Sequence, residues 1–93
     1  MPARLTAYVP DGAAVVGLLE DEAVYRIGRA SDCELHVAHA SVSRFHAEIA
    51  GRDGRWRVHD TASKNGIRVD GQLVRVAELR GDTWFSIGDV HCA

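Results

Sequence analysis

Short runs of alternating or β-branched apolar residues, each closed by a turn signal, recur along the whole chain. That is the pattern of an antiparallel all-β domain, and no stretch holds a helical period for three turns. Arg4 to Val9 predicts a first strand, ended by Pro10, Asp11 and Gly12; Ala14 to Leu19 predicts a second, ended by the acidic turn Glu20, Asp21 and Glu22. Ala23 to Ile27 predicts a third strand that delivers Gly28 and Arg29 to its exit. A loop over Ala30 to Cys33 and a brief strand from Glu34 to Val37 follow. After a polar loop through Ser41 and Ser43, Phe45 to Ala50 predicts a strand with Phe45, Ala47 and Ile49 on one face, turning at Arg52, Asp53 and Gly54. Arg55 to Asp60 alternates cleanly, with Trp56 and Val58 inward and Arg55, Arg57 and His59 outward.

Beyond a polar loop from Thr61 to Gly66, Ile67 to Val69 and Gln72 to Val74 flank Asp70-Gly71, a dipeptide suited to a type I′ hairpin. Val76 to Leu79 reads equally as a strand or one helical turn. Gly81 and Asp82 turn into a strand from Thr83 to Ile87, and Gly88 and Asp89 turn into a last strand starting at Val90. So short a last strand is expected either in a chain cut from a longer protein or at a marginally paired terminus. About ten or eleven short strands at this spacing favour a two-sheet antiparallel β-sandwich over an open sheet, which leaves a face uncovered. The 93 residues make a single domain. Three loops, Gly28 to Cys33, Ala38 to Arg44 and Thr61 to Gly66, are polar and long where other connections are tight, so function is expected on them.

Composition changes the picture little: 46% hydrophobic and 26% charged residues describe an ordinary globular protein. The longest apolar runs fall far short of the roughly 20 residues that span a bilayer, and the start of the chain through Pro2, Arg4 and Tyr8 lacks a signal-peptide core. A cytoplasmic location and no membrane partner are therefore expected. Cys33 and Cys92 form no Cys-x-x-Cys pair and are expected to be reduced, semi-buried packing residues. A formal net charge of −2 disfavours nucleic acid as the main ligand. The basic residues are few, and the single lysine, Lys64, lies in one of the polar loops. The Ala, Arg, Val, Gly and Asp bias points to a GC-rich bacterial genome.

Three segments stand out together: Ile27-Gly28-Arg29, then Ser43-Arg44-Phe45-His46-Ala47, then Ser63-Lys64-Asn65-Gly66. Taken singly each is an ordinary turn or an idle surface charge. In this order and spacing they resemble the forkhead-associated (FHA) domain, a phosphothreonine-binding β-sandwich whose signature is Gly-Arg, Ser-x-x-His and Ser-x-Asn-Gly. The resemblance runs from about Tyr25 to Gly88 and includes the Val69-Asp70-Gly71 hairpin and the late Ile87-Gly88. The chemistry suits these residue types. A phosphothreonine carries about −1.5 to −2 charges and three acceptor oxygens, so its reader needs a planar cation, a hydroxyl and further cations.

The resemblance implies that Arg29 and Ser43 contact the phosphate, with Arg44 helping, and that Asn65 reads the peptide backbone beside the phosphothreonine; Lys64 is placed beside the phosphate by its charge and not by the resemblance. Gly28, Gly66 and His46 are expected as structural support, the glycines through backbone need and the histidine by bracing the loops. Neither a cofactor nor a metal is implied. The implied partner is a phosphothreonine protein or peptide, a Ser/Thr kinase substrate, and the implied role is a signalling module and not an enzyme. Lys64 and Ile67-Arg68 depart from the family's usual residues. Ile67 is a candidate wall for the slot that takes the threonine methyl.

Two rival chemistries find less support. A hydrolase built from Ser43, Ser63, His46, His59 and Asp60 lacks a Gly-x-Ser-x-Gly elbow, and zinc at His36 and His39 with Cys33 or His91 lacks a closed-site spacing. The stronger alternative is phosphate-independent association through an edge strand or through Val15, Val16 and Trp84 if they are exposed.

Overall fold

The computed structural model describes residues 3–80 and 83–93. The turn expected at Gly81 and Asp82, and Pro2 at the chain start, lie outside them. Among the described residues there are eleven strands and no helix: β1 Ala3–Tyr8, β2 Ala14–Leu19, β3 Val24–Gly28, β4 Leu35–His36, β5 Ala47–Arg52, β6 Arg55–Asp60, β7 Ile67–Val69, β8 Gln72–Val74, β9 Val76–Leu79, β10 Phe85–Ile87 and β11 Val90–Cys92. They form a six-stranded sheet in the order β2-β1-β11-β10-β7-β8 and a five-stranded sheet in the order β4-β3-β5-β6-β9.

Alternation builds the core. Leu5, Ala7 and Val9 point inward from β1 and its exit, and Ile49 from β5 and Val58 from β6 meet them from the other sheet, each buried. Ile27, Ile49, Ile67 and Ile87 are fully buried, each contributing about 1.5–3 kcal/mol by the apolar area it removes from water. Asp70 and Gly71 lie at φ 52° and 78°, and Asp53 and Gly54 at 54° and 74°. Both Asp-Gly pairs thus have the two positive φ values that a type I′ turn requires, and both join antiparallel neighbours, β7 to β8 and β5 to β6.

The structure settles points the sequence pattern left open and departs from it at Phe45 and at one strand pair. Val76–Leu79 is a strand, held against β6 with Trp56 opposite Leu79 and Val58 opposite Ala77. Phe45 does not share the inward face of Ala47 and Ile49: it lies before β5, exposed, with the Arg26 guanidinium 5.6 Å from its ring. The strand begins later because most of the 43–46 backbone bonds the loops, the Ser43, Arg44 and His46 carbonyls accepting from Arg29, Ala30 and Thr61, while the His46 N–H donates to Ile27 of β3. One pair, β3 with β4, is parallel, Ile27 facing Leu35, because the loop over residues 29–34 brings the chain back level with β3. The last strand is not marginal. β11 lies inside its sheet between β1 and β10, and Ala93 exchanges two backbone bonds of 3.0 Å with Thr6.

Cys33 and Cys92 are free and buried. Burial raises both thiols, Cys92 to about 12, so the nucleophilic thiolate is suppressed as well as shielded. Iodoacetamide is therefore expected to leave both cysteines unmodified in the folded protein at neutral pH and to alkylate both in denaturant, which intact-mass spectrometry resolves. Fast labelling of the native state would contradict the packing described.

Gly28 is where the fold permits the closest backbone approach. A Cβ there would lie 2.2 Å from the Arg44 carbonyl oxygen, a contact that only backbone movement relieves. Gly28→Ala should cost about 1–3 kcal/mol and lower the melting temperature by roughly 4–8 °C per kcal/mol. Calorimetry showing no loss would mean that the 43–46 segment is not held against β3 as described.

Candidate functional site

Four connections converge at one end of the sandwich. They are the β3–β4 loop, the β4–β5 loop, the β6–β7 loop and the Gly88-Asp89 turn between β10 and β11. Backbone bonds tie the first two: the Arg29 N–H donates to the Ser43 carbonyl, that of Ala30 to Arg44 and that of His46 to Ile27, all at 3.0 Å. The β3–β4 loop is also held from outside. Glu34 accepts from the Arg26 backbone N–H at 2.7 Å and pairs with the Arg26 guanidinium, which in turn donates to the Asp32 carbonyl at 2.8 Å. Those bonds hold the Glu34 carboxyl below its usual range and raise Arg26, the backbone bond leading for Glu34 and the side-chain bond for Arg26.

His46, fully buried, joins the second and third loops. Its Nδ1 accepts the Ser43 N–H at 3.0 Å, and its Nε2 lies 2.7 Å from the Gly66 carbonyl oxygen. One nitrogen accepting and the other facing an acceptor assigns the neutral ring with its proton on Nε2. Further bonds fix the β6–β7 loop: Thr61 donates its hydroxyl to the Phe45 carbonyl at 2.7 Å, the Ser63 hydroxyl donates to Asp60, and the Gly66 N–H donates to Ser63 Oγ at 2.9 Å. Gly66 sits at φ 70°, where its missing side chain also leaves room for Leu73.

The side chains singled out by sequence take distinct positions on this scaffold. Arg29 is exposed, and its Nε donates to the Val42 carbonyl at 3.0 Å; among the described residues its two terminal amino groups have no partner. Ser43 Oγ accepts the Lys64 N–H at 2.9 Å, which leaves the hydroxyl proton to be donated outward. The exposed side chains of Arg44 and Lys64 make no hydrogen bond or ion pair to a described residue. Asn65 donates from Nδ2 to the Ser41 carbonyl at 2.8 Å, leaving Oδ1 and one N–H unengaged. Ile67 is fully buried in the core. That overturns its expected part as a surface wall for a threonine methyl, since β7 pairing turns its side chain inward.

Sequence reasoning missed Ser41. Its carbonyl orients Asn65, while its Oγ accepts the Asp89 N–H at 2.8 Å and bonds His39 Nδ1 at 2.8 Å. A polar depression of about 220 Å³ next to it is lined by Ser41, Asn65, Arg68, Gly88 and Asp89. The bond to His39 is local, but the Ser41 partners that tie it to the site, Asn65 and Asp89, are distant in sequence. Asp60 and Ser63, by contrast, form a local turn that their spacing could have revealed. The larger cleft, about 660 Å³ and lined by Leu5, Leu19, Ile49, Trp56, Leu79 and Phe85 among others, lies at the opposite end and contains none of these residues.

The arrangement presents one anchored cation, Arg29, two exposed cations and one hydroxyl donor to solvent, a receptor for a multiply charged oxyanion. It does not resemble a nucleophile with its base, because both His46 nitrogens are committed to backbone groups. Among the described residues no three His, Cys, Asp or Glu side chains gather to hold a metal ion, and no helix is long and apolar enough to cross a membrane.

The FHA domain family matches residues 25–88, and the chain belongs to that family. Its fold is that of a binding module. It is 33% identical over 89 residues to the ABC transporter ATP-binding/permease protein Rv1747 of Mycobacterium tuberculosis, covering 96% of this chain but 9% of that protein. It is 34% identical over 79 residues to the transcriptional regulatory protein EmbR of the same organism, covering 85% of this chain and 20% of EmbR. The chain thus spans a fifth or less of the curated relatives it matches. The crystal structure of the Mycobacterium tuberculosis Rv1747 FHA-1 domain superposes with a TM-score of 0.78 at 24% identity, covering 99% of this chain and 96% of that one. The structure of EmbR in complex with a low affinity phosphopeptide superposes with a TM-score of 0.78 at 25% identity, covering 98% of this chain and 24% of that one.

Because His46, among the described residues, is the fully buried polar side chain that bridges the two loops, His46→Ala should leave the Ser43 N–H and the Gly66 carbonyl unsatisfied and cost about 2–5 kcal/mol. Urea unfolding measures it. A loss below about 1 kcal/mol, within the range of ordinary surface changes, would show that the loops hold without the imidazole.

Proposed function

We propose that this chain binds phosphothreonine in a partner protein, reading the phosphate with Arg29 and Ser43 and the adjoining peptide backbone with Asn65. The observation that carries the reading is the Arg29–Ser43 pairing. The Arg29 Nε is anchored on the Val42 carbonyl, which leaves its terminal amino groups to fork onto phosphate, while Ser43 Oγ accepts from Lys64 and can donate only outward. Arg44 and Lys64 add positive charge around the anion. The unengaged Oδ1 and N–H of Asn65 suit a peptide backbone, which offers both a donor and an acceptor.

The phosphopeptide complex of the relative EmbR supports the same reading. The partner is a substrate of a Ser/Thr kinase, and we place the encounter in the cytoplasm, where such kinases act. The chain serves as one recognition module and has no catalytic role of its own. Three or four charge-assisted bonds at about 1.5–3 kcal/mol each, discounted for ordering a flexible peptide, amount to micromolar affinity, near −8 kcal/mol.

Calorimetric titration with matched phosphothreonine and unphosphorylated peptides tests this. The phosphorylated peptide should bind and its counterpart should not. Ser43→Ala should weaken binding about ten- to a hundredfold, the worth of one charge-assisted bond. Arg29→Ala and Asn65→Ala should abolish measurable binding with little change in melting temperature. Equal affinity for the two peptides would refute the phosphate reading, and a large stability loss in either variant would make that residue structural.

A further inference from the structure

The four sheet edges are unequally guarded. β4 and β8 are two and three residues long, and β9 carries Glu78. β2, Ala14–Leu19, is six residues of Ala, Val, Gly and Leu with no charge, proline or bulge, the features that usually keep an edge from pairing. Its outward backbone groups can be identified. Thr6 exchanges both of its backbone bonds with Ala93 on the β11 side, so its N–H and C=O point away from β2. Val16 lies opposite Thr6, and by the alternation of an antiparallel ladder its N–H and C=O point away from β1. Ala14 and Leu18 share that parity. None of these groups bonds another described residue.

The same three residues project their side chains from the outer face of the sheet, where Val16 is 57% and Leu18 73% exposed. Beyond Thr6 and Ala93 that face continues to the exposed Trp84, whose ring lies 5.7 Å from that of Tyr8. Val15, by contrast, faces the core.

We propose that β2 is a self-association edge, and that a second copy of this chain pairs with it in an antiparallel two-fold ladder. Parity together with full overlap of the three residues selects one register. Val16 lies opposite Val16 of the partner subunit and Ala14 opposite Leu18 of the partner subunit, which brings together the residues whose backbone groups face outward. Each opposed pair exchanges both hydrogen bonds, so all the outward groups of the strand are satisfied at once. A shift by one residue would place inward-facing side chains against outward-facing ones. A two-fold contact sets a patch against itself, and the uncharged strand lets it do so with no like charges opposed in the ladder. The two six-stranded sheets then merge into one, with the loop end carrying Arg29 and Ser43 left open on each copy.

Sedimentation equilibrium from micromolar to millimolar concentration, with amide exchange at both ends of that range, tests the proposal. The sedimenting mass should double, and exchange at Ala14, Val16 and Leu18 should slow by about tenfold or more with concentration as their N–H groups become bonded. Val16→Pro deletes an N–H that faces away from β1, and edge strands accept proline at such positions. Val16→Lys sets two ammonium groups side by side at the two-fold axis. Each should weaken association by about tenfold or more, with circular dichroism reporting the fold and the lysine variant deciding if the proline variant unfolds. Trp84→Ser, away from the ladder, should leave the dimer intact. A chain that stays monomeric throughout, or a dimer that survives folded Val16→Lys or dissolves in Trp84→Ser, would overturn the proposal.

Discussion

The loop end of this protein rests on one buried imidazole. His46 takes up the Ser43 N–H on one side and meets the Gly66 carbonyl on the other, so a fully buried side chain joins two loops separated by β5 and β6. Loop backbone is costly to bury without partners. Here the cost is met from inside, which leaves the outer surface of the loops free for ligands. The constraint also explains why the histidine is neutral and has no chemistry to offer: each nitrogen already has a backbone partner.

From that bridge the remaining geometry follows. Fixing the Ser43 backbone sets its Oγ where the Lys64 N–H reaches it, and Gly28 lets the 43–46 segment lie directly against the end of β3. The close approach places the Arg29 side chain over Val42. Cation and hydroxyl are thus held by backbone bonds on rigid strand ends and not by each other, a preorganised arrangement that does not need to be ordered anew when an anion arrives. Asn65 is set from a third direction through Ser41, which also engages the β10–β11 turn.

The sandwich separates its surfaces by task. One end holds polar loops and unpaired cations, and the opposite end opens into a cleft with an apolar floor and a rim carrying Arg4, Arg55, Glu78 and Arg80. The outer face of the six-stranded sheet carries Val16, Leu18, Tyr8 and Trp84 beside an unguarded edge. The proposed phosphate site and the proposed self-association edge therefore lie on surfaces that do not overlap, because a sheet edge and a loop cluster are built from different residues.

Much of this was legible before any coordinates. Turn signals placed β2, β7 and β8 at their observed bounds, and clean alternation with a period of two placed β6, since a strand with one buried face writes its register into its sequence. The Gly-Arg, Ser-x-x-His and Ser-x-Asn-Gly segments marked the loops because each needs residue types that serve local backbone geometry. What sequence left open depended on partners far along the chain. Val76–Leu79 became a strand only because β6 was there to pair it, β11 is internal only because β1 and β10 flank it, and Phe45 lost its place in the core to loop hydrogen bonds. Ser41 and the outward parity of β2 were decided by Asn65, Asp89 and Ala93, residues that only the folded chain brings within a hydrogen bond's length, whereas turn signals and alternation sufficed for most strands, and the order and spacing of three segments, through their resemblance to a known family, sufficed for the loop motif.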